Sequence, residues 1–254
     1  MERFESFDGR EIAYLDVGEG PAVVLLHGFA ANHRVNWVTP GVVEAVRASG
    51  RRVLAPDARG HGESDKPHEP EAYAGNTAER DVRALLDHVG LDAVDVVGYS
   101  MGAITAARVV PMEPRTRALV LGGVGERIAS GAGLPNRTSI ADVLTAERPH
   151  GIENAAGRAF RTFADATGAD RAALAALLRA PRDETGDVGA IAVPTLVIVG
   201  DGDVLAGPPE ALAERIPGAV SITVQGDHLS AVNDPMFSAS IVTFLDSVSP
   251  APMR

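Results

Sequence analysis

The stretch VDVVGYSMGAITAARVV, residues 94–110, decides the fold. It opens on a short apolar run, passes through Gly98-Tyr99-Ser100-Met101-Gly102, and continues as a helical pattern. A G-x-S-x-G placed between a strand and a helix sets the serine in a sharp turn with its hydroxyl exposed. Glycines two positions to either side are needed there because bulky neighbours would crowd the turn. The helix that follows points its amino-terminal dipole and free amides at developing negative charge. Ser100 is therefore the candidate nucleophile.

Working outward, the other apolar segments are also short continuous runs, the pattern of strands covered on both faces. They are Ala22 to Leu26, Arg52 to Pro56, Val94 to Gly98, Ala118 to Gly123, Thr195 to Gly200 and Val220 to Val224. Ahead of them RFESF and EIAYLDV flank Asp8-Gly9, a hairpin dipeptide, so the chain is expected to start antiparallel. Helical periodicity fills the gaps: Val82, Leu85, Leu86 and Val89 share one face, and Gly90 stops that helix. Asn233-Asp234-Pro235 opens a last helix that turns Ile241, Phe244 and Leu245 inward. This alternation implies an α/β fold, a mostly parallel sheet with helices on both faces. Residues 125–188 interrupt it with Ala-rich helical patterns (SIADVLTAE, NAAGRAFRTFADA, RAALAALLRA) and no strand-like run. The domain reading is a core of residues 1–124 and 189–254 with a helical cap insertion at 125–188. A cap there lies over the carboxyl ends of the strands, where such sheets bind ligands.

Composition narrows the function. The 254 residues are 45% hydrophobic and 22% charged, ordinary for a folded domain. Against 34 acidic side chains stand 23 basic ones, a net charge of -11 that repels phosphate backbones and anionic membranes. Nucleic acid and membrane are not expected partners; a small-molecule substrate is, with the chain a monomer or homodimer. With no cysteine there is no thiol nucleophile, disulfide or thiolate metal site. The polar start MERFESFDGR lacks the apolar stretch of a secretory signal, so a cytoplasmic location is expected. Neither H-E-x-x-H nor a phosphate-binding glycine loop is present, and the expectation is no metal and no cofactor.

A serine nucleophile needs donors for the oxyanion and a base. The residue after the serine supplies one amide and the loop after the first buried strand another, which points to the backbone N–H groups of Met101 and Phe29. His27, beside Phe29, is expected to bond loop backbone. Of seven histidines, His228 is the candidate base, because it lies between the last strand run and the last helix. His61 is expected to be structural, His88 lies near the end of an exposed helix, and His33, His68 and His150 are read as surface residues. The loop Asp57 to Asp65 reads as a solvated, ion-paired turn. Asp201, Asp203 and Asp227 are all candidates for the acid.

Five spaced motifs, LLHGF at Leu25 to Phe29, PDARGHGES at Pro56 to Ser64, GYSMG, PTLVIVGDGD at Pro194 to Asp203 and GDHLS at Gly226 to Ser230, resemble the α/β-hydrolase family in its small capped esterase and haloperoxidase-like branch. The resemblance implies an eight-stranded sheet and a triad in the chain order serine, acid, histidine, which Ser100, Asp203 and His228 satisfy; the acid follows the strand-end glycine by three positions. Two departures stand out: Ala103, where many relatives carry glycine, and Asp227, which sets a carboxylate beside the base. The expected activity is that of a carboxylesterase on a small apolar ester, with Phe160 and Phe163 of the cap as substrate-binding residues. Its rivals are a perhydrolase or haloperoxidase-like enzyme, a carbon–carbon bond hydrolase, and a receptor that retains the triad.

Overall fold

A computed structural model describes residues 1–129, 136–147, 154–181 and 186–249. The chain begins as a hairpin of β1 (Glu2–Glu5) and β2 (Glu11–Val17), turned at Gly9 with φ 82°. It continues through β3 (Ala22–Leu26), β4 (Arg52–Pro56), β5 (Val94–Tyr99), β6 (Thr116–Gly122), β7 (Thr195–Gly200) and β8 (Val220–Val224). The sheet has eight strands in the order β1-β2-β4-β3-β5-β6-β7-β8. β1 and β2 run antiparallel to their neighbours and the rest are parallel.

Every residue of β3, β5 and β7 is buried, which requires cover on both faces. Side chains alternate along β3: Val24 and Leu26 meet α2 (Thr77–Val89) and α3 (Met101–Val109), while Val23 and Leu25 meet α1 (Val42–Ala48) and α9 (Pro235–Val248). α2 buries Val82, Leu85 and Leu86 and is ended by Gly90 in the left-handed region, φ 69°. α9 starts with the Asp234 carboxylate accepting from the Met236 N–H, followed by Pro235. α8 (Glu210–Ala213) precedes β8.

Between β6 and β7 the chain leaves the sheet and forms α4 (Glu126–Ala129), α5 (Arg137–Thr145), α6 (Ala155–Thr167) and α7 (Arg171–Arg179). Asn154 caps α6 through the Gly157 N–H, and Asp170 caps α7 through those of Ala172 and Ala173. Ile140, Leu144, Phe160, Leu174 and Leu177 form an apolar cluster that also takes in Phe29 and Tyr73 of the core, so the insertion is seated directly over the end of β3. Polar contacts fix the seat: Thr167 Oγ1 donates to the Ala30 carbonyl at 2.9 Å, and His68 Nε2 pairs with Asp170 Oδ2 at 2.9 Å. Among the described residues, no helix is long and apolar enough to cross a membrane.

The winding places the site. From β3 the chain crosses to β4 on one side, then returns to β5 on the other, so β3 and β5 are neighbours with Leu26 opposite Gly98. In open α/β sheets the crevice at such a reversal, outside the carboxyl ends of the strands, is where ligands bind. Phe29 and Ser100 lie just past those two ends.

Candidate active site

Ser100 occupies the turn from β5 into α3 with φ 53° and ψ -112°, a conformation side chains rarely adopt. The surroundings over-determine it. A Cβ on Gly102 would lie 2.0 Å from the Leu26 carbonyl oxygen, and one on Gly98 would lie 2.6 Å from Ala103 Cα. Glycine at 102 lets α3 start that close to the end of β3, and glycine at 98 lets it fold back against β5. Ala103 is fully buried at this contact, so the methyl that replaces the more usual glycine packs into the core. Met101 is the first residue of α3, and its N–H has no carbonyl a turn earlier to bond.

Ser100 Oγ lies 2.8 Å from His228 Nε2, and His228 Nδ1 lies 2.8 Å from Asp203 Oδ2. Three elements supply these groups: the β5 turn, the loop between β8 and α9, and the loop after β7. The Asp203 side chain is wholly buried; its other oxygen, Oδ1, accepts from the N–H groups of Leu205 at 3.0 Å and Ala206 at 2.9 Å. An ionised carboxylate accepts only, so Nδ1 must carry the imidazole proton and Nε2 is left to accept from the serine hydroxyl.

The other two acids are spent elsewhere. Asp201 Oδ1 accepts from the Gly226 N–H at 3.0 Å. Asp227 Oδ1 accepts from Ser230 Oγ at 2.6 Å and from the N–H groups of Ser230 and Leu229 at 2.9 and 3.0 Å. Those bonds hold its carboxyl below the usual carboxylate range. Asp227 thus shapes the turn that carries His228 and does not reach the ring nitrogens.

Two residues that sequence reasoning passes over complete the frame. Tyr99 donates its hydroxyl to the His228 carbonyl at 2.9 Å, tying the strand of the serine to the loop of the histidine. Its ring is boxed in by Trp37, Phe237 and the His228 imidazole. Asn36, in a single turn of π-helix at Arg34–Val38, accepts the Gly28 N–H on Oδ1 at 2.8 Å and so steadies the loop that presents Phe29. The available signals were Tyr99's place inside the G-x-S-x-G and an asparagine nine residues past His27.

The cleft at Ser100, about 260 Å³, is bordered by Phe29, Asn36, Ser100, Phe160, Phe163 and His228 among others. Its lining includes no Asp, Glu, Lys or Arg. Phe160 is buried edge-on to Phe29 with ring centroids 5.4 Å apart; Phe163 is half-buried. Both sequence-predicted cap residues therefore stand at the serine.

The loop after β4 departs from expectation. It reads as a solvated turn, yet Asp57, Arg59, His61 and Ser64 are all buried. Asp57 accepts from the His33 ring and backbone and from the Glu63 N–H, bonds that hold its carboxyl far below the carboxylate range against the opposing pull of burial. His33 is accordingly an internal partner of Asp57 and not a surface residue. His27 accepts the Ala58 N–H on Nε2 and bonds the Gly28 carbonyl through Nδ1, the backbone role expected of it. His61 accepts the Ala30 N–H, and burial lowers its pKa to about 3. His150 lies outside the described residues. Among the described residues no group of three or more His, Cys, Asp or Glu is placed to hold a metal.

Two of the buried histidines, His27 and His61, predict an acid limit, since burial lowers the pKa of both. Each is neutral in the folded chain and titrates near ~6.5 once unfolded, so protons bind the unfolded state more strongly as pH falls. Stability is full above ~6.5 and is lost below it, at about 1.4 kcal/mol per pH unit for His61 down to about 3, with His27 adding a loss in the same direction. Chemical denaturation from pH 7.5 to 4.5 should show stability falling below ~6.5, and His61→Gln should flatten the fall.

Residues 21–124 match the model of the α/β-hydrolase fold family. Among curated proteins, the chain is 34% identical over 130 residues to Epoxide hydrolase 2 of Siraitia grosvenorii, covering 47% of this chain and 39% of that one. It is 39% identical over 95 residues to the mouse sn-1-specific diacylglycerol lipase ABHD11, covering 37% of this chain and 29% of the lipase. The matched stretch thus spans about two fifths of the first relative's length and less of the second's. Among solved structures, a hydrolase from Pseudomonas aeruginosa PA01 superposes with a TM-score of 0.73 at 26% identity, covering 96% of this chain and 97% of that one. A thermophilic esterase from Thermogutta terrifontis superposes with a TM-score of 0.76 at 24% identity, covering 98% and 99%. The sequence match over residues 21–124 and the topology of the whole sheet give this chain the α/β-hydrolase fold.

Proposed function

We propose that the chain is a serine hydrolase of neutral carboxylic esters with Ser100 as nucleophile, His228 as base and Asp203 as the acid. The observation that carries this reading is the unbroken relay of 2.8 Å contacts from Ser100 Oγ through the imidazole to a buried carboxylate. His228 Nε2 takes the hydroxyl proton as Ser100 Oγ attacks the ester carbonyl. The amides of Phe29 and Met101 hold the oxyanion, with the α3 dipole behind Met101. Collapse expels the alcohol, which receives the proton from His228, and leaves an acyl-serine. Water, deprotonated by the same nitrogen, then releases the acid.

The cleft favours an ester over an epoxide. Opening an epoxide calls for a proton donor at the ring oxygen, whereas the nearby phenols are engaged: Tyr99 donates to the His228 carbonyl and Tyr73 to that of Pro67. A neutral substrate matches walls without charged side chains. The test is a panel of p-nitrophenyl esters, with an alkyl fluorophosphonate to label the serine. Turnover with labelling at Ser100 supports the reading; turnover of epoxides alone, with no label at Ser100, overturns it.

The cap should set the acyl profile. Phe163→Ala, at a half-buried site on the cleft, is expected to shift the preferred acyl length by two or more carbons with little loss of stability. Phe160→Ala removes a buried aromatic and is expected to do both, costing roughly 3 kcal/mol or more. Melting curves beside the ester panel separate the two effects.

A further inference from the structure

The polar side chains on the walls of the Ser100 cleft are Asn36, Thr39, Tyr99, Ser100, His228 and Asn233. Most have a settled partner or open water. Ser100 and His228 belong to the relay, and Tyr99 donates its hydroxyl to the His228 carbonyl. Thr39 and Asn233 are exposed, so solvent meets their polar groups. Asn36 differs: it is 5% exposed, and half of its amide has no partner among the described residues.

The orientation of that amide is fixed by its neighbour. The Gly28 N–H can only donate, so the oxygen, Oδ1, must face it, at 2.8 Å. Nδ2 and its protons therefore point away from Gly28. No described residue accepts them, yet Nδ2 is not sealed from solvent. The open space beside Asn36 is the cleft. The residue is also held still, because its N–H donates to the Asn32 carbonyl at 3.0 Å and the next side chain, Trp37, is fully buried. One glycine separates it from the nucleophile: a Cβ on Gly28 would lie 3.3 Å from Asn36 Oδ1 and 3.5 Å from Ser100 Cβ.

A donor already fixed in place gains more from a ligand's acceptor in this partly dry site than it would in water. An alkyl group in the same place would strand the NH₂.

We infer that Asn36 Nδ2 binds substrate, donating to a second oxygen of the ester, an alkoxy or keto oxygen a few atoms from the scissile carbonyl. This rests on the acyl-enzyme reading of Ser100 given above and narrows it: the preferred ester is uncharged and oxygen-bearing, not a plain alkyl ester. The two halves of one amide then divide the work, Oδ1 steadying the loop that presents Phe29 and Nδ2 selecting the substrate.

The test pairs isosteres that differ by one oxygen. p-Nitrophenyl methoxyacetate against p-nitrophenyl butyrate places that oxygen in the acyl part; 2-methoxyethyl butyrate against butyl butyrate places it in the alcohol. kcat/KM is read as the oxygen-to-carbon ratio within each pair, so a shift of the Gly28 loop acts on both members and cancels. Asn36→Asp keeps an acceptor for the Gly28 N–H and removes the donor, whereas Asn36→Leu removes both. Each should lower the ratio roughly tenfold in one of the pairs, and the pair that responds tells which side of the ester reaches Asn36. In the wild type alone, that pair should show a ratio roughly tenfold above the one for hydroxide-catalysed hydrolysis, a reading that needs no variant to fold. Ratios within about twofold of these references in both pairs, with the butyrates turned over, overturn the inference and leave the esterase reading standing. A fall in Asn36→Asp alone overturns it too, since the new charge is then the cause. Failure of the wild type to turn over any of the four esters, with no label at Ser100, overturns the esterase reading and the inference with it.

Discussion

Ser100→Ala is expected to lower ester turnover by roughly 10⁶, to the level left by the oxyanion donors and binding alone, and to abolish labelling by a fluorophosphonate. The fold should survive. Ser100 sits at φ 53°, but alanine has the same Cβ, so the strain of that position is unchanged. Ser100 Oγ makes one hydrogen bond among the described residues, to His228 Nε2, and the side chain is only half-buried. Stability should therefore stay within about 0.5 kcal/mol of wild type. The glycines hold the turn, not the hydroxyl: Gly102 allows α3 to approach β3 and Gly98 allows it to fold back against β5. Intact-mass analysis after labelling, with melting curves on both proteins, checks each half. An alanine variant that still turns over esters at the wild-type rate would take Ser100 out of the mechanism.

How much of this was legible in the sequence follows from the range over which each feature is decided. The strands were legible because burial on both faces leaves a continuous apolar run: the runs at residues 22–26, 52–56 and 195–200 coincide with β3, β4 and β7, while β8 at 220–224 is an edge strand with only Val224 buried, marked by its β-branched residues. The elbow was legible because its constraint is local, within five residues. Asp57 and His33 were misread because the bond that buries them joins positions 24 apart across two loops, and a charged loop with its partners out of view looks solvated. Tyr99 and Asn36 escaped for the same reason: the Tyr99 hydroxyl meets a carbonyl 129 positions on, and no periodicity encodes that.

Among the three acids near the strand ends, Asp203→Asn is expected to cost about 10⁴ in turnover, and Asp201→Asn or Asp227→Asn about tenfold or less. The asymmetry comes from what each oxygen accepts. At Asp201 and Asp227 the partners are backbone N–H groups and the Ser230 hydroxyl, and an asparagine Oδ1 can still accept those bonds. At Asp203 both oxygens are committed: Oδ1 to the amides of Leu205 and Ala206, Oδ2 to His228 Nδ1. Asparagine keeps its oxygen on the two amides and turns NH₂ towards the imidazole. That group can only donate, so Nδ1 must become the acceptor and the ring proton moves to Nε2. The nitrogen facing Ser100 then carries a proton and cannot take the serine's, and the imidazolium formed during reaction loses its buried counter-charge. The loss should fall on kcat, because the walls of the cleft are untouched. The phosphonate should label Asp203→Asn slowly but still at Ser100, since the nucleophile remains and only its base is mis-set. A large loss at Asp201 or Asp227, with Asp203→Asn close to wild type, would move the acid to another position and leave the serine in place.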